Sequence, residues 1–317
     1  MAGEGFDLDG DVRTRAAWLY YMEGLTQDAI AQALGLTRAR VLRMLASCRE
    51  DGTVQINVTS PLTRCVVFER ALEKRYGLER AIVIPRPQDE NNGAVLIGAA
   101  TGSYLSTILT DGLTIGLGWG RTVSSSLPNL PQKQFKRLTV VSLLGGLTRA
   151  SNFNPSEFAW RFADRLGAEC FMMAAPVFAP DAATREALVN HSGMEDVFNH
   201  AGRLDVALIS VGAVAPPHST LLRYNLLTQD EIASLVRAGA VGDVLCRFLD
   251  AEGRMLDHPL NDRVISVPPT MLRRARRIVL ASGGWEKAAA VLAALRLLKP
   301  EVLITDEVVA ETLTTDA

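Results

Sequence analysis

The chain has no apolar run approaching the ~18–20 residues that span a bilayer. Its start, Met1 to Asp11, is acidic and lacks the basic flank and apolar stretch of a secretory signal. Cysteine is scarce. Cys48, Cys65, Cys170 and Cys246 lie far apart and form no CxxC pair. That argues against a disulfide scaffold or a zinc site and for a reducing cytoplasm. His191, His200, His218 and His258 show neither HxxxH nor HxH spacing, so no metal site is expected. The net charge is only −2, so no global basic field recruits nucleic acid or anionic membrane. Any DNA binding must come from a local patch.

Several motifs are missing too. There is no GxxxxGK[ST] and no GxSxG, and no triad spacing among serines, histidines and acids. The glycines at 116, 118 and 120 do not match GxGxxG and lie well into the chain. No cofactor is expected. Internal repeats and low-complexity segments are also absent.

What is present is 317 residues, 48% hydrophobic and 21% charged. That suffices for a sizeable core and is long for one ordinary domain. The first sixty residues read as a small helical unit. A helix over 12–23 puts Ala16, Leu19 and Tyr20 on one face. Gly24 stops it and Thr26 caps a short helix over 27–34, with Ile30 and Leu34 inward. Gly35 permits a tight turn, and Thr37 caps a third helix from Arg38 to about Glu50. Helix, glycine turn, helix at this spacing is the helix-turn-helix pattern.

On the third helix, Val41, Leu42 and Leu45 cluster on the side expected to pack inward. Arg40, Arg43 and Ser47 cluster opposite, with Arg38 at the edge. Residues 1–60 hold six basic and eight acidic residues, so positive charge is focused on this helix. Such a helix suits the major groove, where arginines meet guanine edges and phosphates. The expected DNA face comprises Thr26, Gln27, Thr37, Arg38, Arg40, Arg43 and Ser47. Gly52 followed by Val54, Ile56 and Val58 in alternation predicts a β-wing. The alternative is a solvated face on an ordinary bundle; the caps, turn, charge focus and wing together favour DNA.

Pro61 ends the wing, and residues 62–76 read as a helix stopped by Gly77, either a linker that pairs with a copy of itself or a plain covering helix. From about residue 81, apolar strands at 81–84, 113–117, 138–143, 168–173, 205–211, 277–281 and 302–305 alternate with helical patterns. That predicts a parallel sheet covered on both faces. Residues 243–267 read instead as a hairpin turning at Glu252-Gly253. The expected division is 1–58 for the DNA-binding domain, 59–80 for the linker or dimerisation helix and 81–317 for an α/β domain.

Ligands of open parallel sheets bind beyond the carboxyl ends of strands. Three glycine-bearing strand ends fit: Gly116 to Thr122, including Gly118, Trp119, Gly120 and Arg121; Gly145-Gly146; and Ser282 to Lys287. Asp243 is a candidate ligand-facing acid, and Arg223, Arg247 and Lys287 are cations able to meet an anionic ligand or Asp243. Thr305-Asp306-Glu307 reads first as a helix cap.

These segments together carry a resemblance. Leu25 to Val41, Gly116 to Thr122, Asp205 to Leu208 leading to Gly212, Gly239 to Asp243, Arg247-Phe248, Asp250-x-x-Gly253, Gly283-Gly284 with Lys287-Ala288, and Leu303 to Glu307 form the set. The chain resembles SorC/DeoR-type sugar-binding transcriptional regulators over nearly its whole length. The resemblance implies an effector domain similar to the sugar-phosphate isomerase and CoA-transferase folds, used for sensing rather than turnover. It implies a dimer or tetramer that leaves or shifts on operator DNA when a sugar, polyol or sugar phosphate binds. It places Gly118, Gly120, Arg121, Thr122, Asp243 and Lys287 at the effector site. Where some phosphosugar-sensing relatives carry a cation before Gly145-Gly146, this chain has Leu143-Leu144, which points to an unphosphorylated ligand. The rival reading is an isomerase-type enzyme with an extra helical domain, using Asp243, Glu286 and Lys287 for acid–base work.

Overall fold

The computed structural model describes residues 8–54, 62–87, 89, 92–147 and 154–315. The chain divides into two compact units between Ser60 and Pro61.

In the smaller unit, α1 (Leu8–Tyr21), α2 (Gln27–Leu34) and α3 (Arg38–Glu50) pack around Ala16, Ala17, Ile30, Ala31, Val41, Leu45 and Cys48. The Thr26 hydroxyl accepts from the Ala29 N–H at 3.2 Å, and the Thr37 hydroxyl from the Arg40 N–H at 3.3 Å. Each satisfies a first-turn donor that the helix itself leaves free. Gly35 closes α2 at φ 66°, a left-handed conformation that glycine adopts without strain. Two expectations fail. Leu42 faces solvent, because three helices this short leave room for only one apolar stripe of α3, that of Val41, Leu45 and Cys48. Ser47 is half-buried and accepts from Arg13 at 3.1 Å. The wing expected at Ile56 and Val58 lies outside the described residues; of it, only the turn at Gly52 and Val54 is described.

In the larger unit the strands are β1 (Arg80–Ile84), β2 (Thr114–Leu117), β3 (Thr139–Ser142), β4 (Glu169–Phe171), β5 (Val206–Ile209), β6 (Val211–Ala213), β7 (Gly242–Val244), β8 (Arg247–Leu249), β9 (Arg277–Ala281) and β10 (Val302–Asp306). The main sheet has the order β1-β10-β9-β5-β2-β3-β4, and its pairs are all parallel. Its residues alternate between two cores. Ala207, Ile209, Ile278, Leu280 and Leu303 enter one; Val206, Leu208, Val279, Ala281 and Ile304 enter the other. Burial on both faces is why these strands read as unbroken apolar runs.

A small antiparallel sheet, β6-β7-β8, grows from the end of β5. The single strand expected over 205–211 therefore breaks at Ser210, where the chain leaves one sheet for the other. The β7–β8 hairpin turns at Leu245-Cys246, both at positive φ, and an antiparallel return that sets Met255 opposite Leu249 follows at the expected Glu252-Gly253. The latter forms a second tight turn just after β8, with the Gly253 N–H donating to the Asp250 carbonyl. The helix Ser192–Ala201, between β4 and β5, buries Met194, Val197 and Ala201.

The helix Thr63–Tyr76 is docked within the larger unit. Its Tyr76 hydroxyl donates to the Leu313 carbonyl at 3.0 Å. Its Glu73 and Glu69 accept from the β1 N–H groups of Ala81 and Val83, each at 3.0 Å. Arg64 pairs with Glu307 and Glu311 at 3.2 Å.

Candidate functional site

A pocket of about 240 Å³ opens where the carboxyl ends of β1, β2, β5, β9 and β10 meet the small sheet. This is the position that open parallel sheets offer to ligands. Trp119, Gly120, Arg121 and Thr122 reach it from the end of β2, and Ser210 from the end of β5. Gly283 to Lys287 arrive from the end of β9, Asp306 from β10 and Arg86 from beyond β1. The small sheet adds Gly212 and Asp243. Its following loop and turn add His218, Arg223 and Tyr224.

Asp243 is the most constrained of these residues. It lies opposite Gly212 in the β6–β7 ladder and is 4% exposed. Its Oδ2 accepts from the Cys246 N–H at 2.9 Å, which holds the hairpin turn. A Cβ on Gly212 would fall 2.3 Å from Asp243 Oδ1, so only glycine leaves room for the carboxylate. Burial raises the Asp243 pKa to about 6, against the opposing pull of the Cys246 N–H and the Lys287 charge. Burial likewise lowers the Lys287 pKa, partly offset by Glu286, Asp306 and Asp243. Asp306 caps the last helix through Val309 N–H at 2.9 Å and also accepts from Gly284 N–H at 2.6 Å. The cap that the sequence suggested thus also fixes the glycine loop of the pocket wall. Desolvation raises the Asp306 pKa as well.

The pocket therefore combines the cations Arg86, Arg121, Arg223 and Lys287 with the acids Asp243, Glu286 and Asp306. Such a lining suits a small ligand rich in hydroxyls, with or without an anionic group. The volume falls below the ~300–1,000 Å³ of drug-sized sites. Among the described residues no cluster of histidine, cysteine and acid residues has metal-binding form.

Of the effector residues named from sequence, Trp119, Gly120, Arg121, Thr122, Asp243 and Lys287 meet in this pocket. Gly118 lies just behind it, with its N–H donating to the Leu208 carbonyl at 2.8 Å. Gly145 and Gly146 are a correction. They pair with the chain at 175–177 and with Ile265, and a Cβ on Gly145 would lie 2.6 Å from the Ala175 and Pro176 carbonyls. Their smallness serves backbone packing. Leu143 and Leu144 are wholly buried and do not line the pocket, so they do not bear on the ligand's charge. Arg247 turns away to Ser266 and the Val264 carbonyl, and burial lowers its pKa to about 10. The sequence reading missed Arg86, Gly212, His218 and Tyr224 as pocket residues. Gly212 stood in the resemblance set; the other three carry no motif.

The second candidate site is the face of α3. Thr37, Arg38, Arg40 and Arg43 are exposed there, as is Thr26 at the start of α2. Arg38 reaches Gln27 at 3.5 Å and Asp28 at 3.6 Å, which ties the two helices at their starts. Arg43 Nε donates to the Ala39 carbonyl at 3.4 Å. Arg40 and Arg43 lie three residues apart on one exposed face of α3, and Arg38 sits in its first turn beside α2.

A family model described as "Putative sugar-binding domain" matches residues 60–315. The chain is 32% identical to the erythritol catabolism regulatory protein EryD of Brucella abortus over 309 residues, 97% of each chain. It is 31% identical to the deoxyribonucleoside regulator of Bacillus subtilis over 95% of this chain and 96% of that one. Its fold matches the full-length sorbitol operon regulator SorC of Klebsiella pneumoniae with a TM-score of 0.74, at 27% identity, over 97% and 99% of the two chains. Fold, motif set and full-length similarity agree, and the chain belongs to the SorC family of sugar-binding transcriptional regulators.

Proposed function

We propose that this protein binds operator DNA through the α3 face and that a sugar, polyol or sugar phosphate in the strand-end pocket controls that binding. The observation that carries this is the convergence of Arg121, Thr122, Asp243 and Lys287 from three separate segments into one pocket, in a chain with an arginine-bearing helix-turn-helix unit. The regulated genes would serve carbohydrate or polyol catabolism, the theme of the names EryD and sorbitol operon regulator.

A single helix-turn-helix unit recognises few base pairs, so a dimer or tetramer meeting paired half-sites belongs to this reading. So do a cytoplasmic location and the absence of turnover. No helix among the described residues is long and apolar enough to cross a membrane. The displaced pKa values of Asp243 and Lys287 have the form of an acid–base pair, and this is the one feature that favours the isomerase-type alternative. Release of product from aldose or amino-sugar phosphates would establish that alternative.

The test is fluorescence anisotropy with a duplex selected by the protein from a random pool. Arg40→Ala and Arg43→Ala should each weaken DNA binding and lower the log–log salt slope by about 1, since each removes about one phosphate contact. Thermal stabilisation by pocket ligands should be unchanged. Equal loss of both functions contradicts the division of labour.

A further inference from the structure

Burial orders the pocket lining from floor to mouth. Thr122 and Asp243, at 2% and 4% exposure, form the floor. Trp285 lines the same pocket at 55% exposure, so it stands at the mouth. The indole meets His218 edge-on, with centroids 5.0 Å apart and planes at 77°. His218 also faces the pocket, from the turn before Ser219. Among the described residues no other ring and no cation stacks on Trp285. Trp119 is the other indole of the pocket lining. That ring is 7% exposed and spends its surface on the protein, tilted against Tyr224 at 6.5 Å.

A polyhydroxylated ligand has two kinds of surface. Its hydroxyls need hydrogen-bond partners once water is displaced, and its C–H groups do not. The floor supplies partners in Asp243, Thr122 and Lys287. The C–H groups, polarised by the neighbouring oxygens, suit the electron-rich face of an aromatic ring, which attracts positive edges. An exposed indole beside a strongly polar floor supplies that complement, and the near-perpendicular contact with His218 limits how far the ring can swing.

We propose that Trp285, braced by His218, is a specificity-determining wall that packs on the C–H face of a polyol or sugar skeleton whose hydroxyls meet the floor. This inference rests on the pocket being the effector site. It makes the carbon skeleton, and not charge alone, a determinant of which ligand is accepted. A short anion such as inorganic phosphate presents no surface to the wall.

The test is titration calorimetry of the full chain with erythritol, ribitol, sorbitol and their monophosphates. A wild-type binder should lose roughly tenfold in affinity in Trp285→Ala and stay within about threefold in Trp285→Phe. The ligand-free thermal midpoint should be unchanged in both, because the ring is largely exposed. Ligand binding should also change tryptophan emission more in the wild type than in Trp285→Phe, which keeps Trp119 in the pocket lining. Equal affinity of wild type and Trp285→Ala overturns the wall and leaves the effector pocket standing. An emission change undiminished in Trp285→Phe assigns the contact to another indole and overturns it too. If no member of the panel binds the wild type, both this inference and the proposed function fall.

Discussion

Asp243 sits where burial opposes its own charge. Its pKa is about 6 in the folded protein and 3.8 for an unperturbed carboxyl. Between those values the folded chain holds a proton that the unfolded chain has released, so stability falls as pH rises through that window. Above about pH 6 the cost is complete; near pH 4 most of it is absent. Asp243→Asn keeps an acceptor for the Cys246 N–H and removes the charge. It should therefore raise stability by on the order of 2 kcal/mol at pH 7.5 and by little at pH 4. Urea denaturation at the two pH values checks this, and a variant equally stabilised at both contradicts it. A residue kept at such a cost in a ligand pocket is expected to serve the ligand. Lys287 is the matching case of opposite sign, its pKa lowered by the same burial.

Elements whose boundaries rest on local chemistry were legible. The bounds of α2 and α3 follow from Thr26, Gly35 and Thr37, because a cap hydroxyl and a left-handed glycine act within one turn. Thr37→Ala should accordingly lower the stability of the smaller unit by about 1 kcal/mol. That loss is measured as an earlier transition in helical signal, and an unchanged melt would show that the cap is dispensable. Elements defined by distant partners were not legible. The β7–β8 turn carries Leu245 and Cys246 at positive φ, where a sequence reading looks for glycine or asparagine. What holds it is the Asp243 carboxylate on the Cys246 N–H, together with full burial of both turn side chains. The break at Ser210 is silent for a related reason, since β5 and β6 are apolar on either side of it. Leu42 misled because α3 has more apolar residues than its small core can cover.

At the scale of the whole chain, alternation announced a parallel sheet but not the order of its strands. That order brings Arg86, Thr122, Asp243, Lys287 and Asp306 together from positions up to 220 residues apart. It also carries Gly145 away from them, although its local sequence looks like the other glycine loops. Glycine after a strand reports close approach of something, and only the fold says whether that is a ligand or the chain itself. The central claim is that pocket occupancy governs DNA binding, which requires a ligand to favour one conformation or assembly over another. The direct measurement is DNA affinity by anisotropy, for wild type and Lys287→Ala, with and without a sugar, polyol or phosphate that thermally stabilises the wild-type protein. The account predicts that this ligand shifts wild-type DNA affinity at least fivefold. Lys287→Ala should bind DNA as the wild type does and not respond. A ligand that stabilises the protein yet leaves wild-type DNA affinity unchanged would contradict it.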